Sequence, residues 1–115
     1  MKRNSCKLFV EDMLEATNKI ERYTKGMSYS KFESSEVIVD AVIRNIEIIG
    51  EAAKNIPEEI KEKYPDIPWH RIIGLRNIAI HEYFGVDLNI IWEIITKNLP
   101  ETKPRIETML KSLAV

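Results

Sequence analysis

The segment from Arg76 to Tyr83 brings together side chains that suit the cleavage of a phosphodiester bond. It places a permanent cation, Arg76, an imidazole, His81, and a phenol, Tyr83, within eight residues. An arginine fork can hold a phosphate and offset the negative charge that develops on its oxygens. A histidine can take the proton from a ribose 2′-hydroxyl or return one to the leaving oxygen. This chemistry needs no metal ion.

The spacing of these residues decides whether their side chains meet. Arg76 and Tyr83 are seven residues apart and fall on nearly one face of a helix. Arg76 and His81 are five residues apart, which is about 140° around an ideal helix. The two converge if the helix unwinds near Gly85 or if two subunits share the site. Otherwise they are surface residues near a helix C-terminus, where the helix dipole favours cations.

A stripe of charged residues lies on the preceding long helix. Its members recur at steps of four and three residues: Asp40, Arg44, Glu47, Glu51 and Lys54. One interpretation is a solvated face with internal salt bridges. The other is that the stripe faces the helix of Arg76 and His81 and orients those side chains. Under that second interpretation Arg44 and Glu51 are supporting site residues, and so is Asn77, which follows Arg76 in the chain.

The apolar pattern predicts an all-α fold, because its period is helical and no segment alternates as a half-buried strand does. A first helix is expected from Asn4 or Ser5, either of which can cap it, to Gly26. A second helix, from Ser34 or Ser35 to Asn55, is apolar around most of its circumference and is therefore expected at the centre.

Prolines and glycines mark the expected ends of the remaining helices. A short helix is expected over 57–64 and a longer one over 69–83, closed by Gly85. Asp87 is the expected cap of the last long element, which Pro100 and Pro104 should kink or break before Ile106. The sequence therefore predicts one domain over residues 1–115, an antiparallel bundle of four main helices plus short helical pieces. The apolar faces exceed what one such bundle hides, which predicts a homodimer.

The composition of the chain limits the classes of protein to which it can belong. With 44% hydrophobic and 30% charged residues the chain is typical of a globular protein, and no apolar run approaches the ~18 residues of a membrane span. Without a signal peptide, the chain is expected in the cytoplasm.

Its one cysteine, Cys6, excludes an internal disulfide, and no cluster has metal-ligand spacing, so no metal or cofactor is expected. Net charge is −1, yet residues 69–81 hold two arginines, both histidines and no acid. This window is either a local patch that attracts nucleic acid or a chance gap among the acidic residues.

The sequence resembles the HepT toxins of the HEPN superfamily. Arg76, His81 and Tyr83 match their R-x4-H-x-Y motif without departure. Further similar segments follow in the family's order across nearly the whole chain: Ala41–Ala53, Ile67–Trp69, Gly74–Asn77, Tyr83–Asp87, Trp92 and Leu99–Pro100.

This resemblance implies a single HEPN domain and a toxin–antitoxin pair. The toxin of such a pair is a homodimeric, metal-independent endoribonuclease that cleaves RNA such as transfer RNA. Its partner is an MntA-like nucleotidyltransferase, which silences the toxin by transferring AMP from ATP onto the motif tyrosine. By motif position, Arg76 and His81 carry over as catalytic residues and Tyr83 as the modified residue.

Two other functions remain open at the level of sequence. A HEPN-like helical domain can be the non-catalytic, substrate- or nucleotide-binding subunit of a two-part nucleotidyltransferase. That function keeps the basic patch but predicts no RNA cleavage by this chain. The chain can also be a purely structural helical dimer, in which case the motif match is accidental.

Overall fold

A computed structural model describes the backbone of residues 3–82 and 87–113, and the side chains of residues 5–78 and 87–113. Within these stretches the chain forms helices and turns, with no strand, which confirms the all-α prediction. The elements are α1 (Arg3–Thr24), α2 (Tyr29–Ser34), α3 (Glu36–Lys54), α4 (Glu58–Lys61), α5 (Trp69–Glu82), α6 (Leu88–Glu93), a π-helical turn (Ile94–Asn98) and α7 (Leu99–Leu113).

Four long elements form the bundle: α1, α3, α5 and the continuous run from α6 through α7. Helix α3 packs between α1 and α5, and α7 packs on α1. The direction of α1 opposes that of α3, because early residues of α1, such as Phe9, share a surface with late residues of α3, such as Asn55. Lys103 at the start of α7 pairs with Glu21 near the end of α1 at 3.0 Å, so these two helices are also antiparallel.

The apolar stripes predicted for α1 and α3 meet in one core. Its largest fully buried side chains include Met13, Ile20, Phe32, Ile46 and Met109. Helix α3 contributes buried residues along most of its length, as its broad apolar circumference predicted. Its charged stripe is the part left at the surface, where Arg44 and Glu51 are both exposed.

Several helix ends agree with the sequence. Ser35 caps α3, its hydroxyl accepting from the Ile38 amide at 3.4 Å, and Asp87 caps α6 by accepting from the Asn89 amide at 3.0 Å. Gly26, with φ of +74°, occupies the left-handed conformation that glycine tolerates just after α1.

Three boundaries differ from the predictions. Helix α1 already includes Asn4 and Ser5, so neither residue is its cap. The short helix expected over 57–64 is confined to Glu58–Lys61. Helix α2 was not predicted, because its six residues are too few to show a helical period, although Ser28 caps it by accepting from the Lys31 amide at 3.2 Å.

The sequence predicted that Pro100 and Pro104 would kink or break the last element, and the break does not occur. A π-helical turn, Ile94–Asn98, leads directly into α7, which runs through both prolines to Leu113. The chain therefore continues as one long arm that carries α6 and α7 together.

No helix in the described parts of the chain is both long and apolar enough to cross a membrane. The predicted homodimer is a property of two chains and stays a prediction.

Candidate functional site

Arg76 and Glu51 form the best-defined polar contact of the candidate site. The Nε atom of Arg76, in the middle of α5, lies 2.7 Å from Oε2 of Glu51, near the end of α3. The two side chains are 39% and 48% exposed, so the pair lies at the surface and contributes at most about 1 kcal/mol to folding. The consequence of the contact is orientation, because Glu51 fixes the guanidinium by its inner nitrogen. The terminal nitrogens of Arg76 make no other ion pair within the described residues.

Gly50 sets the distance between the two helices at this point. A Cβ atom on this buried glycine would lie 2.7 Å from the backbone nitrogen of Arg76 and 3.2 Å from the carbonyl oxygen of Ile72. A side chain of any other type would therefore push α5 away from α3. Gly50 precedes Glu51 in the chain, so one dipeptide provides both the close approach and the carboxylate that meets Arg76.

Sequence reasoning missed Gly50, although a signal was present. A glycine inside a strongly helical pattern costs about 1 kcal/mol relative to alanine. Its presence in the middle of α3 therefore indicates a packing reason, usually the close approach of another backbone. The pattern alone did not reveal which element approaches.

The other two predicted supporting residues, Arg44 and Asn77, are exposed at the surface. Arg44 pairs with Glu47 within the α3 stripe at 3.4 Å, and its side chain is 67% exposed. The stripe thus combines both interpretations of the sequence, an internal salt bridge at Arg44 and a contact with the motif helix at Glu51. Asn77 is exposed on α5, beside Arg76.

His81 and Tyr83 are only partly within the described structure. The backbone of His81 belongs to α5, which is helical through Glu82, while its side chain lies outside the described residues. Tyr83 lies outside them entirely, as does Gly85. Because α5 continues past His81, no unwinding separates Arg76 from His81, and the five-residue step keeps them about 140° apart around the helix.

The first half of α5 carries the basic surface predicted from the sequence. His70 and Arg71 are exposed, and Arg76 is half-buried on the side that faces Glu51. No group of three or more carboxylate, histidine or cysteine side chains lies together as a metal site within the described side chains.

Comparison with known proteins agrees with this fold and motif. Residues 13–109 match the model of the family described as "Ribonuclease HepT-like". A protein of Thermococcus cleftensis named "Probable ribonuclease HepT" is 40% identical over 111 residues, which cover 96% of this chain and 100% of that protein. A provisionally named RNase of Methanocaldococcus jannaschii is 41% identical over 107 residues, 93% of this chain and 98% of the relative.

A third relative joins the same kind of domain to another activity. This M. jannaschii protein, named for a gamma-glutamylcyclotransferase and an RNase, is 44% identical over 111 residues, which cover 96% of this chain but 50% of the relative. No solved structure matches the chain significantly.

The fold and these matches define a class, the small all-helical ribonucleases of HEPN type. The chain belongs to the HepT-like ribonuclease family.

Proposed function

We propose that this chain is the toxin of a toxin–antitoxin pair, a metal-independent endoribonuclease in which Arg76 and His81 are the catalytic residues. The observation that carries the proposal is the 2.7 Å contact between Glu51 and the Nε atom of Arg76. It holds the guanidinium by the nitrogen that is least useful for a phosphate. In the proposed mechanism the terminal nitrogens, which form the two-pronged donor suited to phosphate oxygens, bind the substrate.

In the proposed mechanism, His81 takes the proton of a ribose 2′-hydroxyl, and the resulting 2′-oxygen attacks the adjacent phosphorus. The bond from phosphorus to the 5′-oxygen of the next nucleotide breaks, and the protonated His81 returns its proton to that leaving oxygen. The products are a 2′,3′-cyclic phosphate and a free 5′-hydroxyl. Arg76 stabilises the charge that develops on the phosphate oxygens in the transition state.

We propose further that two copies of the chain share each site. On the continuous helix α5, Arg76 and His81 lie about 140° apart, so one chain does not readily direct both side chains at one phosphate. A second copy across a twofold axis supplies the missing group.

The test is incubation of the purified protein with total RNA in EDTA, beside His81→Ala. Cleavage by the wild type that disappears in the variant, with cyclic phosphate at the new 3′ ends, is the expected result. If both proteins leave RNA intact while mass spectrometry shows an unmodified Tyr83, the ribonuclease proposal fails. The non-catalytic subunit of a two-part nucleotidyltransferase then becomes the better hypothesis.

We propose that a cognate MntA-like nucleotidyltransferase regulates the site by transferring AMP from ATP onto Tyr83. The motif places this residue two positions after His81, so an added nucleotide monophosphate would bring a bulky anion close to the catalytic groups. That anion would occupy the phosphate position and repel RNA. Co-incubation with the partner and ATP should add the mass of AMP to the chain and abolish cleavage, whereas Tyr83→Phe should keep its cleavage activity under the same treatment.

A further inference from the structure

A groove separates α5 from the arm formed by α6, the π-helical turn and α7. Its volume is about 570 Å³, within the range of pockets that hold small molecules and cofactors. The floor is apolar: Leu75 and Ile94 are buried there, and Ile78 is half-buried. Ile90, which is 42% exposed, lies at its edge. The groove therefore offers a planar apolar ligand a surface on which to pack.

The rim of the groove is basic. Arg71 and His70 line it from α5 and Arg105 from α7, against a single acidic side chain among the described lining residues, Glu101. Arg71 is exposed and makes no ion pair within the described part of the chain. The rim thus presents a cation with no protein counter-charge beside an apolar floor.

Arg105 is held in place at the same rim. Its Nη1 atom donates to the backbone carbonyl of Asp66 at 2.6 Å, and its Nε atom lies 4.0 Å from the Asp66 carboxylate. Nearby, Asn98 lines the groove with an exposed side-chain amide, which carries both a donor and an acceptor. A base edge, which also carries both, is a fitting partner for such an amide.

We propose that this groove binds one nucleotide of single-stranded RNA next to the cleaved phosphate. The base packs on the apolar floor, Asn98 reads its edge, and Arg71 and Arg105 hold its phosphate. Arg71 and Arg76 are five residues apart, about 140° around α5, so the groove opens on a different side of the helix from the Glu51 contact. Gly74 in the groove lining precedes His81 by seven residues, which places the two positions on nearly one face of α5 with about 10.5 Å of rise between them. A strand leaving the groove along this face would reach the position of His81. The inference rests on the proposed ribonuclease function and adds a substrate-binding site to it.

A second copy of the chain is a less suitable occupant. In a twofold contact a residue of one copy generally meets a different residue of the other, so shape alone does not exclude a second copy. The charge of the rim decides between the occupants, because Arg71 and Arg105 favour one that brings negative charge. The base of a nucleotide can enter the groove, and its phosphate carries the negative charge that complements the basic rim.

Gly74 provides a direct way to fill the groove. It lies in the lining, and a Cβ atom added to it meets nothing within 4 Å, so larger residues fit without disturbing the core. Fluorescence anisotropy with a labelled, unstructured RNA oligonucleotide, in a His81→Ala background that prevents cleavage, measures the effect. Gly74→Leu should weaken binding about tenfold, the worth of one lost base contact, and Gly74→Ala should weaken it less. Neither substitution should lower the melting temperature.

Arg71 tests the phosphate contact separately. Arg71→Ala should reduce the slope of log affinity against log salt by about 0.7, the change expected for one lost phosphate contact on single-stranded RNA. The matched control is Arg22→Ala, which removes an exposed arginine at the end of α1 and should leave the slope unchanged.

Three results would overturn the proposal. If Gly74→Leu binds and cleaves RNA like the wild type, the groove is not a nucleotide site, although the ribonuclease function stands. If light scattering finds a dimeric wild type but a monomeric Gly74→Leu, the groove is a contact between copies. If the wild type neither binds nor cleaves RNA, the proposed function fails and this inference fails with it.

Discussion

At the scale of the residue, the feature that matters is how Arg76 is held. A half-exposed ion pair contributes little to stability, but it restricts a long side chain that otherwise samples many rotamers. Catalysis is far more sensitive to such restriction than folding is, because a displacement of about 1 Å at a reacting group can cost about a hundredfold in rate. Glu51 is therefore a positioning residue in the proposed mechanism.

The first prediction concerns that positioning. Glu51→Ala should lower the cleavage rate about ten- to a hundredfold while changing the melting temperature little. Glu47→Ala is the matched control, since Glu47 belongs to the same stripe but pairs with Arg44 at 3.4 Å. Cleavage kinetics and thermal unfolding of both variants measure the difference. Equal activity in the two would show that the Glu51 contact has no part in the reaction.

Cys6 gives a second prediction, on chemical reactivity. The thiol is fully buried in α1, and this burial raises its pKa, so little thiolate forms in the folded protein. Iodoacetamide should label the native chain at least about tenfold more slowly than the urea-unfolded chain. Intact mass against time measures both rates.

The raised pKa of Cys6 also makes the stability of the fold depend on pH. The folded state holds this proton more tightly than the unfolded state. The corresponding stability is therefore present below the ordinary pKa of a thiol and is lost as the pH rises through the higher pKa of the folded state. Native and unfolded chains that react equally fast would contradict both statements.

At the scale of the element, the contact between α3 and α5 is set by one glycine. Gly50 allows the backbone of α5 to lie against α3, and the same approach brings Arg76 within reach of Glu51. Ordinary helix packing with side chains on both surfaces keeps axes 8–10 Å apart or more. The contact between Arg76 and Glu51 therefore depends on the small size of Gly50 rather than on a further catalytic residue.

The third prediction compares two helical glycines. Gly50→Ala should destabilise the fold by about 1–2 kcal/mol, because the steric cost of overpacking exceeds the gain in helix propensity, and it should reduce cleavage by moving Arg76. Gly74→Ala should raise stability by up to about 1 kcal/mol, because its Cβ would meet open space. Urea unfolding of both variants gives the two free energies. A change of the same sign and size in both would refute the close-contact explanation.

At the scale of the whole molecule, α5 is buried at Ile72 and Leu75, and among its residues with described side chains it is exposed at His70, Arg71 and Asn77. The helix carries Arg76 toward α3, while its groove side faces the α6–α7 arm across open space. The proposed mechanism needs Arg76 and His81 at one phosphate, and the proposed homodimer would bring them together. The dimer prediction can be tested through activity as well as through mass.

The fourth prediction is complementation between inactive chains. Arg76→Ala and His81→Ala should each be inactive alone. After mixing and subunit exchange they should regain about a quarter of wild-type activity, because half of the dimers are mixed and one of the two sites in each is intact. Light scattering checks that both variants are dimers. An inactive mixture of properly exchanged dimers would mean that each site uses Arg76 and His81 from the same chain.

Local physics determined much of this protein from its sequence. The helical period, the caps at Ser35 and Asp87 and the glycine after α1 are decided within a few residues, and they fell where the sequence predicted. The motif of Arg76, His81 and Tyr83 led to the proposed chemistry for the same reason, since it lies in one short segment.

Only the tertiary structure decided how these elements meet. That Gly50 receives the backbone of α5, and that Glu51 rather than Arg44 contacts Arg76, depends on residues some 25 positions apart in the chain, which no local period encodes. The arm from α6 to α7 continues through Pro100 and Pro104 with a π-helical turn just before them, an arrangement that the positions of the prolines in the sequence do not reveal. Sequence fixes what each segment can form, whereas long-range contacts select which side chains come together.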